Sequence, residues 1–154
     1  MAILQHTTER TISPTVDTSA YADGDNIGGT EYQITDIVNN DQGGFIWTIT
    51  VQDYAKQTPE FTLLFFSKEP ENTTFTDNAA LDIHDSDLPY FVGHISITSS
   101  EYASLSDNAV ATKTDVGIGY VALDDDLWVV LVADGAATFT AGTDLVINII
   151  FRMD

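Results

Sequence analysis

The chain of 154 residues has a mass of 16.8 kDa and is 44% hydrophobic, which is enough for one domain with its own core. Its 24 acidic and 5 basic residues give a formal net charge of -19, which disfavours nucleic acid and anionic lipid as partners. Cysteine is absent from the sequence, so disulfides and thiolate metal sites are excluded.

The longest apolar run, LWVVLVA at residues 127–133, is far too short for a helix that spans a membrane. The first residues contain neither a basic start nor a hydrophobic segment of the signal-peptide type. We therefore expect a soluble chain that is made without a secretion signal and has no membrane partner.

The chain begins with MAILQHTTERTISPTV, residues 1–16, which carries polar and β-branched residues but few large apolar side chains. Its capacity for burial is therefore poor, and Pro14 favours an extended path over a helix. We predict an extended N-terminal arm over residues 1–16 and a single domain over residues 17–154. In the stretch that follows the arm, Tyr21 and Ile27 are the expected apolar anchors.

Strand signals dominate after residue 30, where Gly, Asn and Asp clusters separate runs of alternating apolar and polar residues. The clearest run is GGFIWTITVQD, which places Phe45, Trp47, Ile49 and Val51 on one face, predicted to be core. Further runs have the composition of strands: TEYQITDIV, FTLLFFS, FVGHISIT, IGYVAL, LWVVLVA, ATFTA and TDLVINIIFRM.

Helical periodicity is confined to two short stretches, near residues 79–90 and 100–106. About eight or nine strands at roughly ten-residue spacing, joined by turn residues, are typical of an antiparallel sandwich or barrel. The predicted fold class is therefore all-β: an antiparallel β-sandwich, jelly-roll-like, with an extended N-terminal arm.

Many aspartates stand beside Gly, Asn, Ser or Thr, as in ADGDN, NNDQGG and ADGAAT. A short carboxylate in such a position bonds its own backbone, so these acids are interpreted as solvated turns. Calcium takes oxygen ligands from loops and is the metal to weigh at ADGDN, DIHDSD and LDDDL. None of these runs has the calcium-loop spacing with a distal Glu, so we predict no metal and no cofactor.

Sequence patterns that indicate catalysis are absent. His6, His84 and His94 are scattered and form neither an i, i+4 pair nor an H-x-H pair. His84, between two aspartates in LDIHDSDLPY, is interpreted as part of a polar connection rather than as an acid–base group. The sequence has no nucleophile elbow, P-loop or dinucleotide fingerprint, and we predict that the protein is not an enzyme.

Two stretches, ISPTVDTSAYADGDNIGG and TTFTDNAALDIHDSDLPYFVGHISI, resemble a group of small virion structural proteins of tailed bacteriophages. The closing part, LWVVLVADGAATFTAGTDLVINIIF, is similar to the paired final strands of that group, so the resemblance covers most of residues 12–151. It implies a cement or decoration protein that binds the major capsid protein on the outer surface of the head and stabilises the shell.

The same resemblance implies a homo-oligomer, with a trimer favoured over a dimer, and an arm that reaches across neighbouring subunits. Ile3, Leu4 and Ile12 are then its apolar contacts with subunit or capsid, Arg10 is a positive contact, and Pro14 keeps the path extended. About 14 extended residues reach roughly 45 Å, far enough to cross onto a neighbour. The alternative is an arm that folds back on its own domain as an edge strand.

Two other functions are compatible with an all-β domain. A tail, baseplate or receptor-binding module that binds carbohydrate would use exposed aromatic rings, with Trp47, Trp128, Tyr54 and Tyr90 as a stacking platform. Both tryptophans lie in runs typical of core packing, which weakens this alternative. A small glycosidase needs two carboxylates at a set separation, and the sequence gives no support for such a pair.

Overall fold

The computed structural model describes residues 6–38 and 43–153, which form two antiparallel β-sheets packed face to face. Two single-turn 3-10 helices are present, at Leu88–Tyr90 and Ser99–Glu101. The strands within the described ranges are β1 (His6–Ile12), β2 (Tyr32–Ile34), β3 (Gly43–Asp53), β4 (Phe61–Phe66), β5 (Phe91–Ile97), β6 (Tyr102–Ser104), β7 (Ala109–Lys113), β8 (Ile118–Val121), β9 (Leu127–Ala133) and β10 (Leu145–Met153).

The strand order is that of a jelly roll. One sheet runs β1-β10-β3-β7-β6, with β8 also paired to β3, and the other runs β2-β9-β4-β5. The pairs β1·β10, β2·β9, β3·β7 and β4·β5 are nested in the sequence, like a long hairpin rolled into two layers. The all-β, jelly-roll-like sandwich predicted from the sequence is therefore confirmed.

Strands β7 and β8 share one position beside β3. Strand β7 pairs with residues 49–53, and β8 pairs with residues 43–46. Between these two strands, the amides of Val116 and Gly117 donate hydrogen bonds to the carbonyl oxygens of Trp47 and Ile46. The hydrogen bonding thus continues along β3, which is a central strand of its sheet.

The core lies between the two sheets and consists of inward-facing aliphatic and aromatic side chains. Ile49 of β3 and Ile147 of β10 are fully buried from one sheet, and Leu63 of β4 and Leu131 of β9 from the other. Burial of one such side chain contributes about 1.5–3 kcal/mol to folding. Many such residues from both sheets therefore supply the main favourable term in the stability of the sandwich.

The predicted core face of β3 is correct at one end of the strand and wrong at the other. Ile49 and Val51 are fully buried, as predicted. Phe45 is 45% exposed, Trp47 faces outward, and the inward position at this end belongs to Ile46, which is fully buried. The alternation of the sequence therefore changes phase within the strand.

A β-bulge causes this change of phase. Along β10, Ile150 pairs with Thr48 but Phe151 pairs with Ile46, so Trp47 is an extra residue in β3. Successive side chains of a strand point to opposite faces, so one extra residue moves every following side chain to the other face. A pattern taken from β3 alone does not contain this information.

Two other predicted elements differ from the structure. ATFTA, residues 137–141, forms no strand within the described range 43–153. It contacts the N-terminal stretch through isolated backbone hydrogen bonds rather than through a continuous ladder. The amide of Tyr21 donates to the carbonyl of Ala137, for example. The first predicted helical stretch, near residues 79–90, contains the 3-10 turn Leu88–Tyr90. The second, near residues 100–106, overlaps the turn Ser99–Glu101, but its residues 102–104 form β6 instead.

Residues 6–16 are extended, as predicted, but they lie on their own domain. Strand β1 pairs with β10 over seven residues, and Ile12 and Val16, each 4% exposed, belong to the core. Without β1, the N–H and C=O groups along one side of β10 would have no partner strand. In the single chain, residues 6–12 are therefore an edge strand of the sandwich, and the division into an arm and a domain at residue 16 stays a prediction.

The turn-rich stretch after β1 is held by the closing part of the chain. The backbone amides of Val16, Tyr21, Gly24 and Ile27 donate to the carbonyl oxygens of residues 142, 137, 133 and 131. Tyr21 and Ile27 are buried, as predicted for the anchors. The order of this stretch therefore comes from hydrogen bonds within the same chain.

Replacement of Ile49 by alanine should destabilise the protein by about 2–5 kcal/mol, because it leaves a cavity at a fully buried site. Thr50→Ala, at the next, outward-facing position of the same strand, is the matched control and should cost less than about 1 kcal/mol. Urea unfolding monitored by tryptophan fluorescence measures both changes. Equal effects of the two substitutions would show that the assigned register of β3 is wrong.

Removal of residues 1–12 should destabilise the domain, because β10 would lose its neighbour and Ile12 would leave the core. We expect a lower urea midpoint and self-association of the shortened chain, measured by unfolding and by light scattering. Removal of residues 1–5 keeps β1 and serves as the control. If the longer truncation has the midpoint of the full chain, β1 is not part of the cooperative unit.

Candidate functional site

The histidines stand apart from one another and have ordinary surface surroundings. His84 is exposed, and its Nδ1 accepts a hydrogen bond from the amide of Ser86. His94 is exposed on the edge strand β5 and stacks on the ring of Phe91, with the ring centroids 6.3 Å apart. Within residues 6–38 and 43–153, no group of three or more His, Cys, Asp and Glu side chains is placed to hold a metal ion. In the same ranges, we find no helix with the length and apolar character needed to cross a membrane.

The five basic side chains of the sequence all contact groups of their own chain. Arg10 donates hydrogen bonds to the carbonyl oxygens of Thr35 and Asp36, and Lys56 donates to those of Leu105 and Ser106. Lys113 binds the carbonyl oxygen of Ser96 and the carboxylate of Glu101. Lys68 lies over the ring of Tyr90, and Arg152 lies over the ring of Trp47. The positive charges therefore connect elements of the fold, and the loop surface is left strongly acidic.

The acidic side chains are concentrated in loops. Among the described residues, Glu9 in β1 and Asp53 in β3 are the acids that lie within strands. The carboxylate of Asp17 accepts a hydrogen bond from the amide of Ser19, and that of Asp53 accepts one from the amide of Ala55. For Asp17, which precedes Thr18, the interpretation of aspartate as a turn-stabilising group is confirmed. Asp53 makes the same kind of hydrogen bond but is buried at the end of β3, outside the class of solvated turn residues.

Asp87 ties together the segment between β4 and β5. Its carboxylate is buried and accepts hydrogen bonds from the amide and side chain of Asn72 and from the hydroxyl of Thr73. Burial opposes ionisation of this group, but the hydrogen bonds, with a smaller contribution from nearby His84, outweigh it and lower the pKa of Asp87. This carboxylate is therefore ionised and structural at neutral pH.

Asp144 plays the same part in the loop that leads into β10. Its carboxylate accepts hydrogen bonds from the amide and hydroxyl of Thr140 and from the amide of Ala141, at 2.6–2.8 Å. Burial again opposes ionisation, and the hydrogen bonds from these two residues outweigh it, so the pKa of Asp144 lies below its ordinary value. The closing loop thus depends on a negative charge.

Asp77 joins two stretches that are far apart in the sequence. Its Oδ1 accepts a hydrogen bond from the hydroxyl of Tyr21 at 2.7 Å and from the amide of Gly28 at 2.8 Å. Burial raises the pKa of Tyr21, so its hydroxyl remains a donor. Gly29 has φ +62°, and a Cβ there would lie 2.8 Å from the Asp77 amide nitrogen, so glycine is required for this close approach.

The outer face of the six-stranded sheet is the candidate interaction surface. We call it the threonine face and define it by the outward-facing residues of β1, β10, β3, β7 and β8. Glu9 and Arg152 are the charged side chains among its described members, and none of those members is buried. Its threonines are Thr7, Thr11, Thr48, Thr50 and Thr112.

The threonine face also carries exposed apolar side chains. Phe45 of β3 is 45% exposed and Val121 of β8 is 58% exposed. The ring of Phe45 lies over Gly119, where an added Cβ would be 3.4 Å from the ring. The other sheet differs, because its outward-facing Phe66 and Val130 are buried by other parts of the chain. One outer face of the sandwich is therefore partly covered and the other is open.

The residues predicted to contact neighbouring subunits are used by their own domain, as far as the structure describes them. Ile12 and Pro14 are buried, and Arg10 is bound to the carbonyl oxygens of residues 35 and 36. In the single chain these three residues contact their own domain, and their contact with a neighbouring subunit or capsid stays a prediction. Ile3 and Leu4 lie outside the described residues.

The four aromatic residues of the predicted stacking platform do not share one surface. Trp47 lies on the threonine face beneath Arg152, whereas Trp128 lies on β9 of the other sheet. Tyr90 lies beneath the amine of Lys68. Tyr54 is 53% exposed and lines a cavity of about 400 Å³ at the end of β3, so it is the member most open to a ligand.

Neither the threonine face nor the Asp77 contacts were identified from the sequence. A partial signal for the face was present, since threonine recurs at alternate positions in TIT of β3. Its continuation onto β7 through Thr112 depends on the pairing of β3 with β7, which the sequence does not display. The role of Asp77 had no local signal, because its partners lie about fifty residues away and are reached only in the folded chain.

Asp144→Asn should destabilise the protein at pH 7 by about 1–3 kcal/mol, because an amide cannot accept all the hydrogen bonds of the carboxylate. A lowered pKa means that this stability is present above the ordinary value of 3.8 and is lost as the pH falls through the lowered value. The difference between variant and wild type should therefore shrink below pH 3.8. Urea unfolding across pH measures it, with the exposed Asp82→Asn as control; a difference that is constant with pH would refute the assignment.

No protein-family model matches the sequence, and no curated protein is found to be similar to it. Among solved structures, the chain is similar to one in the full particle of Israeli acute paralysis virus heated to 63 degrees, with 8% identity and a TM-score of 0.27. The match covers 96% of this chain and 68% of the viral one. A TM-score this low supports no inference about fold or function.

Proposed function

We propose that this chain is a structural protein of a virus particle, and in particular a cement or decoration protein on the outer surface of a tailed-phage head. Its partner is the major capsid protein, and its role is to bind and stabilise the shell without catalysis. The observation that carries the proposal is that the three stretches with a resemblance to phage virion proteins form one connected unit in the structure.

This unit is centred on Asn26, which is fully buried in the first of the three stretches. The Asn26 amide donates to the carbonyl of Ala79 in the second stretch at 2.8 Å, and its side chain donates to the carbonyl of Leu131 in the third at 3.0 Å. Asp77 adds its bonds to the first stretch. Because the three stretches contact one another, the resemblance falls on one structural unit of the fold, and this supports the proposal.

The architecture is compatible with this role. Jelly rolls form the domains of viral capsid proteins, and also lectin domains and cupins, so the fold alone does not decide among these functions. The resemblance favours the viral member of this set. The pairing of β1 with β10 completes the six-stranded sheet within one chain, so the body can fold before it contacts a shell.

The charge distribution indicates the chemistry of the partner surface. Acidic side chains dominate the loops, and the basic side chains are bound within the fold. A capsid surface with exposed lysine and arginine side chains is complementary to such loops. Attachment of this kind is weakened by salt, because screening reduces the attraction between exposed charges.

The proposal includes a homo-oligomer, with a trimer favoured by the resemblance and a dimer as the alternative. A bridging role for residues 1–16 requires β1 to pair with β10 of a neighbouring copy in place of its own. Ile12 is buried in the core when β1 pairs within its own chain. If β1 pairs with a neighbouring copy, the Ile12 side chain must fill the same position in the core of that copy.

The test is attachment to heads that lack this protein, measured by co-sedimentation and electron microscopy. We expect bound copies on the outer surface at about 0.05 M NaCl, higher heat resistance of the shell, and loss of attachment near 0.5 M, where screening is strong. Heads already carrying the protein are the control for non-specific adsorption. Failure to bind heads at low salt would refute the cement role.

A second function is favoured by one observation, the exposure of Tyr54 and Leu105 around the cavity at the end of β3. An aromatic ring beside a cavity of about 400 Å³ is suited to a sugar, as in a receptor-binding module. Glycan binding that is lost in Tyr54→Ala but kept in Tyr90→Ala would support this function over the first.

A further inference from the structure

We infer that the threonine face is the contact surface between two copies of this chain, packed face to face. The net charge of -19 makes two copies repel each other over most of their surface. The threonine face carries one acid and one base among its described residues, Glu9 and Arg152, and is neutral as a whole. It is the surface over which a second copy approaches with the least repulsion.

The side chains of this face suit a contact between sheets. Phe45 and Val121 expose apolar surface side by side on β3 and β8, and the Arg152 guanidinium covers the ring of Trp47 with its centre 4.3 Å away. The threonines present methyl groups and hydroxyls, which pack and hydrogen-bond without bringing a charge into the contact. Two sheets stack in this way at about 10 Å.

The size of the face is that of a small but stable interface. Neighbouring strands are spaced at about 4.8 Å, so the four strand positions of the face, β1, β10, β3 and the shared position of β7 and β8, span roughly 19 Å. The nine residues of β10 extend over about 31 Å. The resulting face of roughly 600 Å² is at the lower end of the area of about 600–1,000 Å² that each partner contributes to a standard interface.

A contact of one face with itself is two-fold symmetric and closes with two copies. This contact therefore favours the dimer, the alternative to the trimer implied by the sequence resemblance. The other sheet does not offer an equivalent surface, since its outward-facing Phe66 and Val130 are already buried within the chain. The inference is independent of the proposed attachment to a capsid, because it requires no other protein.

The experiment measures the mass of the purified full chain by sedimentation and light scattering over a range of concentrations and salt. We expect a species at twice the chain mass of 16.8 kDa, and tighter association as salt screens the repulsion between copies. Salt thus has opposite effects on the dimer and on capsid attachment, so failure of one proposal is distinguished from failure of the other.

Thr50→Glu places a charge at the centre of the face, and Thr112→Glu places one on its neighbouring strand β7. Each should weaken the dimer by at least about 100-fold, because the two-fold contact sets like charges close together. Thr50→Gln, of similar size but neutral, should dimerise. Thr74→Glu adds the same charge at an exposed position away from the face and should also dimerise.

Unfolding curves establish whether each variant is folded. If one of the two glutamate variants does not fold, the other is enough to test the inference. A wild-type chain that remains monomeric at high protein and salt concentration overturns the inference. So does a trimer, or a dimer whose affinity is the same in the folded Thr50→Glu or Thr112→Glu protein as in Thr74→Glu.

Discussion

The antiparallel pairing of the two ends of the chain is the constraint on which the rest of this sandwich depends. Strand β10 lies between β1 and β3, so the last strand of the sequence is an interior strand of its sheet. Its inward-facing Ile147 and Ile149 fill the core from that position. Arg10 of β1 then binds the carbonyl oxygens that follow β2, which joins the edge of one sheet to the other. Without β10, neither the edge nor the core would be complete.

The segregation of charge is the second organising feature, and it follows from the same architecture. Strands need side chains that pack on both faces, which places the acids in the connections. The basic residues bridge elements: Lys113, for example, extends from β7 to the carbonyl of Ser96 in β5 and to Glu101. The result is a body with acidic loops and one neutral, open sheet face.

Local patterns in the sequence predicted the fold class and most of the strands, because alternation and β-branched residues act within each strand. They missed the short strands β6 and β7. They did not predict the phase change at Trp47, which is set by the register of β10 against β3. They also left the pairing of HTTERTI open, since these residues are polar and their partner strand lies at the far end of the chain. The contacts of Asp77 and the neutrality of the threonine face likewise exist only once distant strands are assembled.

The same pairing of chain ends has a consequence for how the protein is made. Residue 6 pairs with residue 153, so strand β1 has no partner strand until β10 has been synthesised. Contacts of such large sequence separation slow folding, because a long loop must close before they form. During that interval, strands such as FTLLFF are exposed to association with other chains. Acidic residues are spread along the sequence, so a partly synthesised chain is also negatively charged. Repulsion between such chains opposes their association before the fold is complete.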